Sequence, residues 1–187
     1  MTRSDEIRFA HYDAATAGPM LETVVGPIFL ASHTDVGEDP FYGLERFLER
    51  VRGYLRSPAF ELVTAVSGAE PVALALGYAL PEGARWWQGL TTPIEAGLIR
   101  EDGRRTFALC EIMVHPDWQR QGIARAVHDE LMHHRPERRA TLLVREDNAA
   151  AQAAYASWGW TKIGKLRPYA DAPNYDALVL DLLTRPA

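Results

Sequence analysis

Two short segments in the second half of the chain combine residue types and spacings that could do chemistry. The first is QRQGIA, Gln119 to Ala124, which follows the apolar run FALCEIMV and the Pro-containing turn HPDW and opens an amphipathic helix. The first N–H groups of a helix have no internal partner and lie at the positive end of its dipole, so an anion placed there satisfies several donors together. Gly122 removes a Cβ from the path of approach and Ala124 keeps the next exposed position small, which suits a pyrophosphate. A P-loop would need Gly-Lys-Ser/Thr here and a dinucleotide fingerprint three glycines at another spacing, and neither is present.

The second segment is REDNAAAQAAYASWGW, Arg145 to Trp160. Asn148, Ala151, Gln152 and Tyr155 fall at i, i+3, i+4 and i+7 and so share one helical face. Asn148 can cap the helix or bond a ligand lying along that face, and Ala151 permits close approach. Tyr155 offers a phenol one turn further on, either as an acid for a departing group or as a ring packed in the core. Upstream, strict alternation in FALCEIMV puts Phe107, Leu109, Glu111 and Met113 on one face and Ala108, Cys110, Ile112 and Val114 on the other. Glu111 is then a carboxylate among apolar neighbours, suited to take a proton from an ammonium group or to pair with an arginine.

The spacing Gln119-x-x-Gly122-x-Ala124 after an apolar strand, with Asn148, Ala151, Tyr155 and the pair Gly159-Trp160, resembles the GNAT superfamily of acyl-CoA N-acyltransferases. That family's signature is Gln/Arg-x-x-Gly-x-Gly/Ala between a strand and a helix; Ala124 stands for the commoner Gly and Trp160 for the commoner Phe. The resemblance covers Leu109 to Leu182 well and the first 105 residues only in the order of elements. It implies acetyl-CoA as co-substrate and a primary amine, of a small molecule, acetylated directly in one ternary complex; no metal is expected, because the residues themselves offer no completed ligand set. By position it assigns pyrophosphate contacts to the main chain of Gln121, Gly122, Ile123, Ala124 and Arg125, with Gln119 and Arg120 bordering the turn. It further implies that the main chain of Ile112, Met113 and Val114 bonds the pantetheine arm like an added strand, that Asn148 and Ala151 flank the arm, that Tyr155 protonates the leaving thiolate and that Glu111 is the base. Two alternatives stay open: a catalytically silent acyl-CoA-binding or sensor module, and an acetyltransferase acting on protein N-termini or lysines.

The elements that must position these residues follow from periodicity. A short strand is expected at Ile7 to Ala10, a helical region at Gly18 to Phe29 interrupted by Pro27, a loop at Ser32 to Pro40, and an amphipathic helix at Phe41 to Leu55. Phe60 to Val66 and Pro71 to Leu80 read as a hairpin around SGAE. Strands at Phe107 to Val114, Ala140 to Arg145, Trp160 to Leu166 and Tyr175 to Leu182 alternate with helices at Gly122 to His134 and Asn148 to Trp158. The order predicts a single α/β domain over residues 1–187, GNAT-like, with a mixed, mostly antiparallel sheet, a splayed parallel central pair and flanking helices. Pro81 to Arg105, carrying Trp86 and Trp87, is unusually apolar for a connection and must cover something: an acceptor pocket, the N-terminal helices or a second copy in a homodimer.

The 187 residues carry a net charge of -5, which argues against nucleic acid as partner because phosphate neutralisation needs excess Lys and Arg. Without a long uncharged apolar run no membrane span is expected, and a lone Cys110 forms no internal disulfide, so a cytoplasmic place is the default. Cys110 reads as inert packing and His115 as a loop residue. His128, His133 and His134 lack a completing ligand set, and Asp35, Glu38 and Asp39 form an acidic loop that could draw in a cationic amine.

Overall fold

The computed structural model describes residues 7–33, 43–170 and 172–183. Asp35, Glu38 and Asp39, and the first residues of the helix expected from Phe41, lie outside them. Seven strands are hydrogen-bonded in the order β1-β2-β3-β4-β5-β7-β6. They are β1 Ile7–Tyr12, β2 Glu61–Ser67, β3 Glu70–Ala79, β4 Thr106–Val114, β5 Arg139–Arg145, β6 Thr161–Leu166 and β7 Tyr175–Asp181. β4 and β5 are parallel, in register at Thr106↔Arg139, Phe107↔Ala140 and Ala108↔Thr141. The chain divides into two compact units, Met1–Tyr78 with Cys110–His133, and Ala79–Leu109 with His134–Ala187.

In the first unit, β1, β2 and β3 form an antiparallel meander, and Gly68 turns the β2–β3 hairpin at φ +61°. Leu62, Leu74 and Leu76 face a core built with Ala17, Leu21, Val25, Ile28, Phe29, Phe47, Leu48 and Val51. By alternation the small residues Val63, Ala65, Ala73 and Ala75 point the other way, and helix α5, Ile123–Met132, packs against β2. α5 buries Ile123, Val127 and Leu131 at the i, i+4, i+8 spacing of one stripe. His11 on β1 adds a polar tie, its Nδ1 2.7 Å from Glu61 and its Nε2 2.9 Å from Glu130 of α5. The hydrogen bond to Glu61, countered in part by desolvation, holds the imidazole pKa above its usual value.

The early helical region differs from the expected broken one. α1 Ala14–Ala17 passes through a 3₁₀ turn at Gly18–Met20 and a π turn at Leu21–Val25 into α2 Gly26–Ser32. Asp13 caps its start, accepting from the Thr16 amide at 2.9 Å. Pro27 does not interrupt the run, because the wide π turn places it in the first turn of α2, where no N–H is required. By length and composition residues 14–32 meet the minimum for a membrane-spanning helix, yet Ala17, Leu21, Val25, Ile28 and Phe29 belong to this unit's core and Glu22 pairs with Arg52 at 2.7 Å. Helix α3, Leu44–Tyr54, closes that core with Phe47 stacked on Phe29 at 4.0 Å.

The second unit shows what the apolar insertion covers. Its segment from Gly89 lies along β6: Arg167 donates to Gly89 O at 2.9 Å, Thr91 donates to Lys165 O at 2.9 Å, and Leu90 bridges Leu166. An edge strand is thereby paired rather than left open. Behind it Glu101, nearly fully buried, accepts from Trp87 Nε1 at 2.9 Å and from Arg139 at 3.0 Å. Arg139 also reaches Thr106 Oγ1 and Leu98 O, so one guanidinium ties the insertion and its helix α4, Ala96–Ile99, to β4 and β5. Gly89 is held at φ +86°, and a Cβ there would meet the carbonyl oxygen of Arg167 at 2.1 Å. Gly89→Ala is therefore expected to cost about 3 kcal/mol, read as a fall in the urea midpoint; an unchanged midpoint would show that the strap is dispensable.

Candidate active site

In the first unit the strand β4 leads through a 3₁₀ turn at Pro116–Trp118 into the QRQGIA turn and α5. His115 is a loop residue as expected, its N–H donating to Val72 O at 2.8 Å and its ring accepting from the Asp117 amide. Gln119 donates its side-chain amide to Val114 O at 3.2 Å and Gln121 to Asp117 O at 3.1 Å. These two glutamines brace the turn and do not point their amides into it. Arg120 has φ +60° and Gly122 φ +80°, two left-handed residues that wind the backbone before the helix begins.

Gly122 is the N-cap of α5 and brings no side chain to satisfy the first amides, those of Ile123, Ala124 and Arg125. A Cβ built on Gly122 meets nothing within 4 Å. The glycine thus answers a backbone requirement, and the space above it stands open for a ligand. Arg125 is 58% exposed and shares its charge with Asp129 at 3.4 Å, one turn along the helix. A diphosphate fits this donor set by charge and by room.

On β4, Met113 belongs to the first unit's core, Cys110 is partly buried against that core, and Glu111 lies near Arg50 of α3. The Glu111 side chain is 18% exposed, with Arg50 Nη2 3.9 Å from its Oε1. Burial raises its pKa to about 7, against the opposing pull of Arg50. Tyr54, one turn beyond Arg50, and Cys110 are each pushed well up by burial and so stay neutral. Arg50 and Tyr54 escaped sequence reasoning. Their i, i+4 spacing was visible, but which strand they face was not.

In the second unit, α6 spans Ala149–Ser157 with Asn148 as its N-cap, the Asn148 side chain accepting from the Ala151 amide at 3.0 Å. Of the two roles open to Asn148, capping is the one this geometry uses. Gln152 donates to the carbonyls of Arg145 and Glu146, both at 3.0 Å, and so pins the turn before the helix. Tyr155 is 8% exposed, set edge-on to Trp158 at 5.4 Å and Trp160 at 6.0 Å.

The sequence pattern of the Acetyltransferase (GNAT) family matches residues 27–160, taking in the turn, Glu111, Asn148 and Tyr155. The chain belongs to the GNAT family. No curated protein matches its sequence. Among solved structures, this GNAT chain is similar to the ribosomal-protein-S18-alanine N-acetyltransferase of Escherichia coli, with 18% identity, TM-score 0.61 and 94% of each chain covered. It is similar also to a GNAT family acetyltransferase from Elizabethkingia anophelis with acetyl-CoA bound, at 13% identity and TM-score 0.62, covering 95% of this chain and 99% of that one. A spermidine N-acetyltransferase chimera from Vibrio cholerae and hSSAT gives 11% identity and TM-score 0.62, with 97% and 100% covered. At such identities the likeness establishes the fold, an α/β GNAT fold with a mixed sheet, and leaves the acceptor unassigned.

In this GNAT-family protein the histidines of α5 do other work. His128 is fully buried, with Nδ1 2.9 Å from Asp129, and His133 caps the helix end, its N–H donating to Glu130 O. Among the described residues no three His, Cys, Asp or Glu side chains gather as a metal-binding group would require.

Proposed function

We propose that this chain is an N-acetyltransferase that passes the acetyl group of acetyl-CoA to the primary amine of a small molecule, directly and within one ternary complex. The observation that carries the reading is the start of α5, where Gly122 at φ +80° leaves the first helical amides uncapped beneath open space. Gln121, Gly122, Ile123, Ala124 and Arg125 would hold the diphosphate through their main chain, with Gln119 and Arg120 shaping the turn. The main chain of Ile112 to Val114 and the helix face of Asn148 and Ala151 would hold the pantetheine arm.

In the transfer, the amine nitrogen forms a bond to the thioester carbonyl carbon while the carbon–sulfur bond breaks. Glu111 accepts the proton that the ammonium must lose before attack, Tyr155 donates one to the departing thiolate, and the second proton that nitrogen sheds as the amide forms goes to solvent, from which Tyr155 regains its own. A buried carboxyl that titrates near neutrality is matched to the first task. A phenol with a pKa of about 10 can serve a thiolate whose conjugate acid lies near 8.5 only when held in place, and the packing of Tyr155 against Trp158 and Trp160 holds the ring. The one cysteine, a buried neutral thiol, takes no part, and a cytoplasmic setting belongs to the same proposal.

Thiol release from acetyl-CoA across panels of small amines, peptide N-termini and peptide lysines tests the reading. Turnover that depends on a small amine supports it, and binding of acetyl-CoA with no amine-dependent release from any panel would make the chain a silent module. Because the base must be ionised, kcat/KM should climb as pH rises through about 7 and then level. Glu111→Gln should remove that limb and lower kcat/KM by about 10²-fold; a limb that survives the substitution would assign the proton transfer to another group.

A further inference from the structure

Glu111 sits between two opposed effects, of which burial is the larger. Burial favours its neutral form and drives its pKa upward, while the Arg50 guanidinium favours the carboxylate. An opposite charge within about 4–6 Å lowers a carboxyl pKa by about 1–3 units. At 3.9 Å Arg50 lies inside that range, yet well beyond the roughly 2.7–2.9 Å of a charge-assisted hydrogen bond. A direct bidentate bond would fix Glu111 as a permanent carboxylate, and no cation at all would leave it protonated above neutral pH. The observed spacing leaves it able to exchange a proton near pH 7.

The same guanidinium acts on a second group. His33 ends α2, its ring stacked on Phe29 at 4.4 Å and its Nδ1 3.0 Å from Phe29 O. Ser32 Oγ lies 3.0 Å from the same Nδ1 and donates to Phe29 O at 3.1 Å, so ring, hydroxyl and carbonyl form one cluster. Burial chiefly, and Arg50 in addition, hold the His33 pKa below its ordinary value. Among the described residues, the other titratable groups coupled to Glu111 are Tyr54 on α3 and Cys110 on β4, with the Tyr78 ring of β3 5.5 Å from that of Tyr54. None of these brings a positive charge.

We infer that Arg50 is a positioning residue that sets the charge of Glu111 from α3 and so places amine activation at neutral pH, with His33 a bystander in the same field. The consequence for catalysis rests on Glu111 being the base; the control of its charge does not. The test is a carboxyl-carbon NMR titration of uniformly labelled protein, with the Glu111 signal assigned by its loss in Glu111→Gln, alongside the pH profile of kcat/KM. In Arg50→Met the Glu111 midpoint should move up from about 7 by about one unit, and the acid limb with it. At pH 6.5 kcat/KM should fall about tenfold and recover towards wild type by pH 9. The His33 ring should also titrate higher, and Arg50→Lys should restore part of each shift. Should Arg50→Met fail to fold, Arg50→Gln, neutral but polar, carries the same reading. A Glu111 midpoint unmoved in a folded neutral variant overturns the inference. A midpoint that moves while the acid limb stays put supports the control by Arg50 and removes Glu111 as the base.

Discussion

Gly122→Glu is expected to weaken acetyl-CoA binding by at least about a hundredfold, about 2.7 kcal/mol, while the protein stays folded. Two effects act together. A non-glycine residue at φ +80° costs about 1–2 kcal/mol in the turn itself, and a carboxylate at the mouth of α5 repels the diphosphate that the uncapped amides would attract. The protein leaves room for the new side chain, since a Cβ at Gly122 meets nothing within 4 Å, so stability should fall only by the backbone cost while affinity falls further. Gly122→Ala separates the parts, carrying the backbone cost without the charge. Calorimetric titration with acetyl-CoA, paired with thermal unfolding of each variant, reads both. Wild-type affinity in the glutamate variant would move the diphosphate away from this turn and take the proposed function with it.

The second large effect is expected from Tyr155→Phe. Removing the hydroxyl should lower kcat by about 10²-fold and leave the affinity for acetyl-CoA near wild type, because the ring that packs edge-on to Trp158 and Trp160 is retained. A general acid acts on the sulfur only as the carbon–sulfur bond breaks, so its loss belongs to kcat and not to binding. Single-turnover kinetics under conditions where chemistry limits the rate measure that step directly. A phenylalanine variant that turns over at the wild-type rate there would make Tyr155 a packing residue and require another source for the thiol proton.

Both predictions concern positions that stood out before any fold was known, and the reason is that each is local. The turn from Gln119 to Ala124 is defined within one strand-to-helix connection, and Gly122 is needed by a backbone angle that depends on its immediate neighbours. Asn148 as N-cap and the shared face of Asn148, Ala151, Gln152 and Tyr155 likewise follow from helical spacing alone. The helices and strands expected after residue 105 fall where the structure has them, within a residue or two at their ends.

What distance along the chain separates, local pattern could not join. Arg50 and Glu111 are 61 positions apart in the sequence, so the field that tunes the carboxyl exists only once α3 lies over β4. The π turn that admits Pro27 reverses the ordinary meaning of a proline within a helix. Trp87, in an insertion whose composition left its partner open, spends its indole N–H on buried Glu101, and the segment from Gly89 spends its backbone on the edge of β6. Residue types and spacings by themselves determined the strand-to-helix turn at Gly122, the capped helix and the family, since those rest on contacts within a few residues. Tertiary structure alone decided the burial of Glu111 beside Arg50 and the hydrogen-bond partners of the insertion, because burial and long-range pairing belong to the folded chain and to no segment of it.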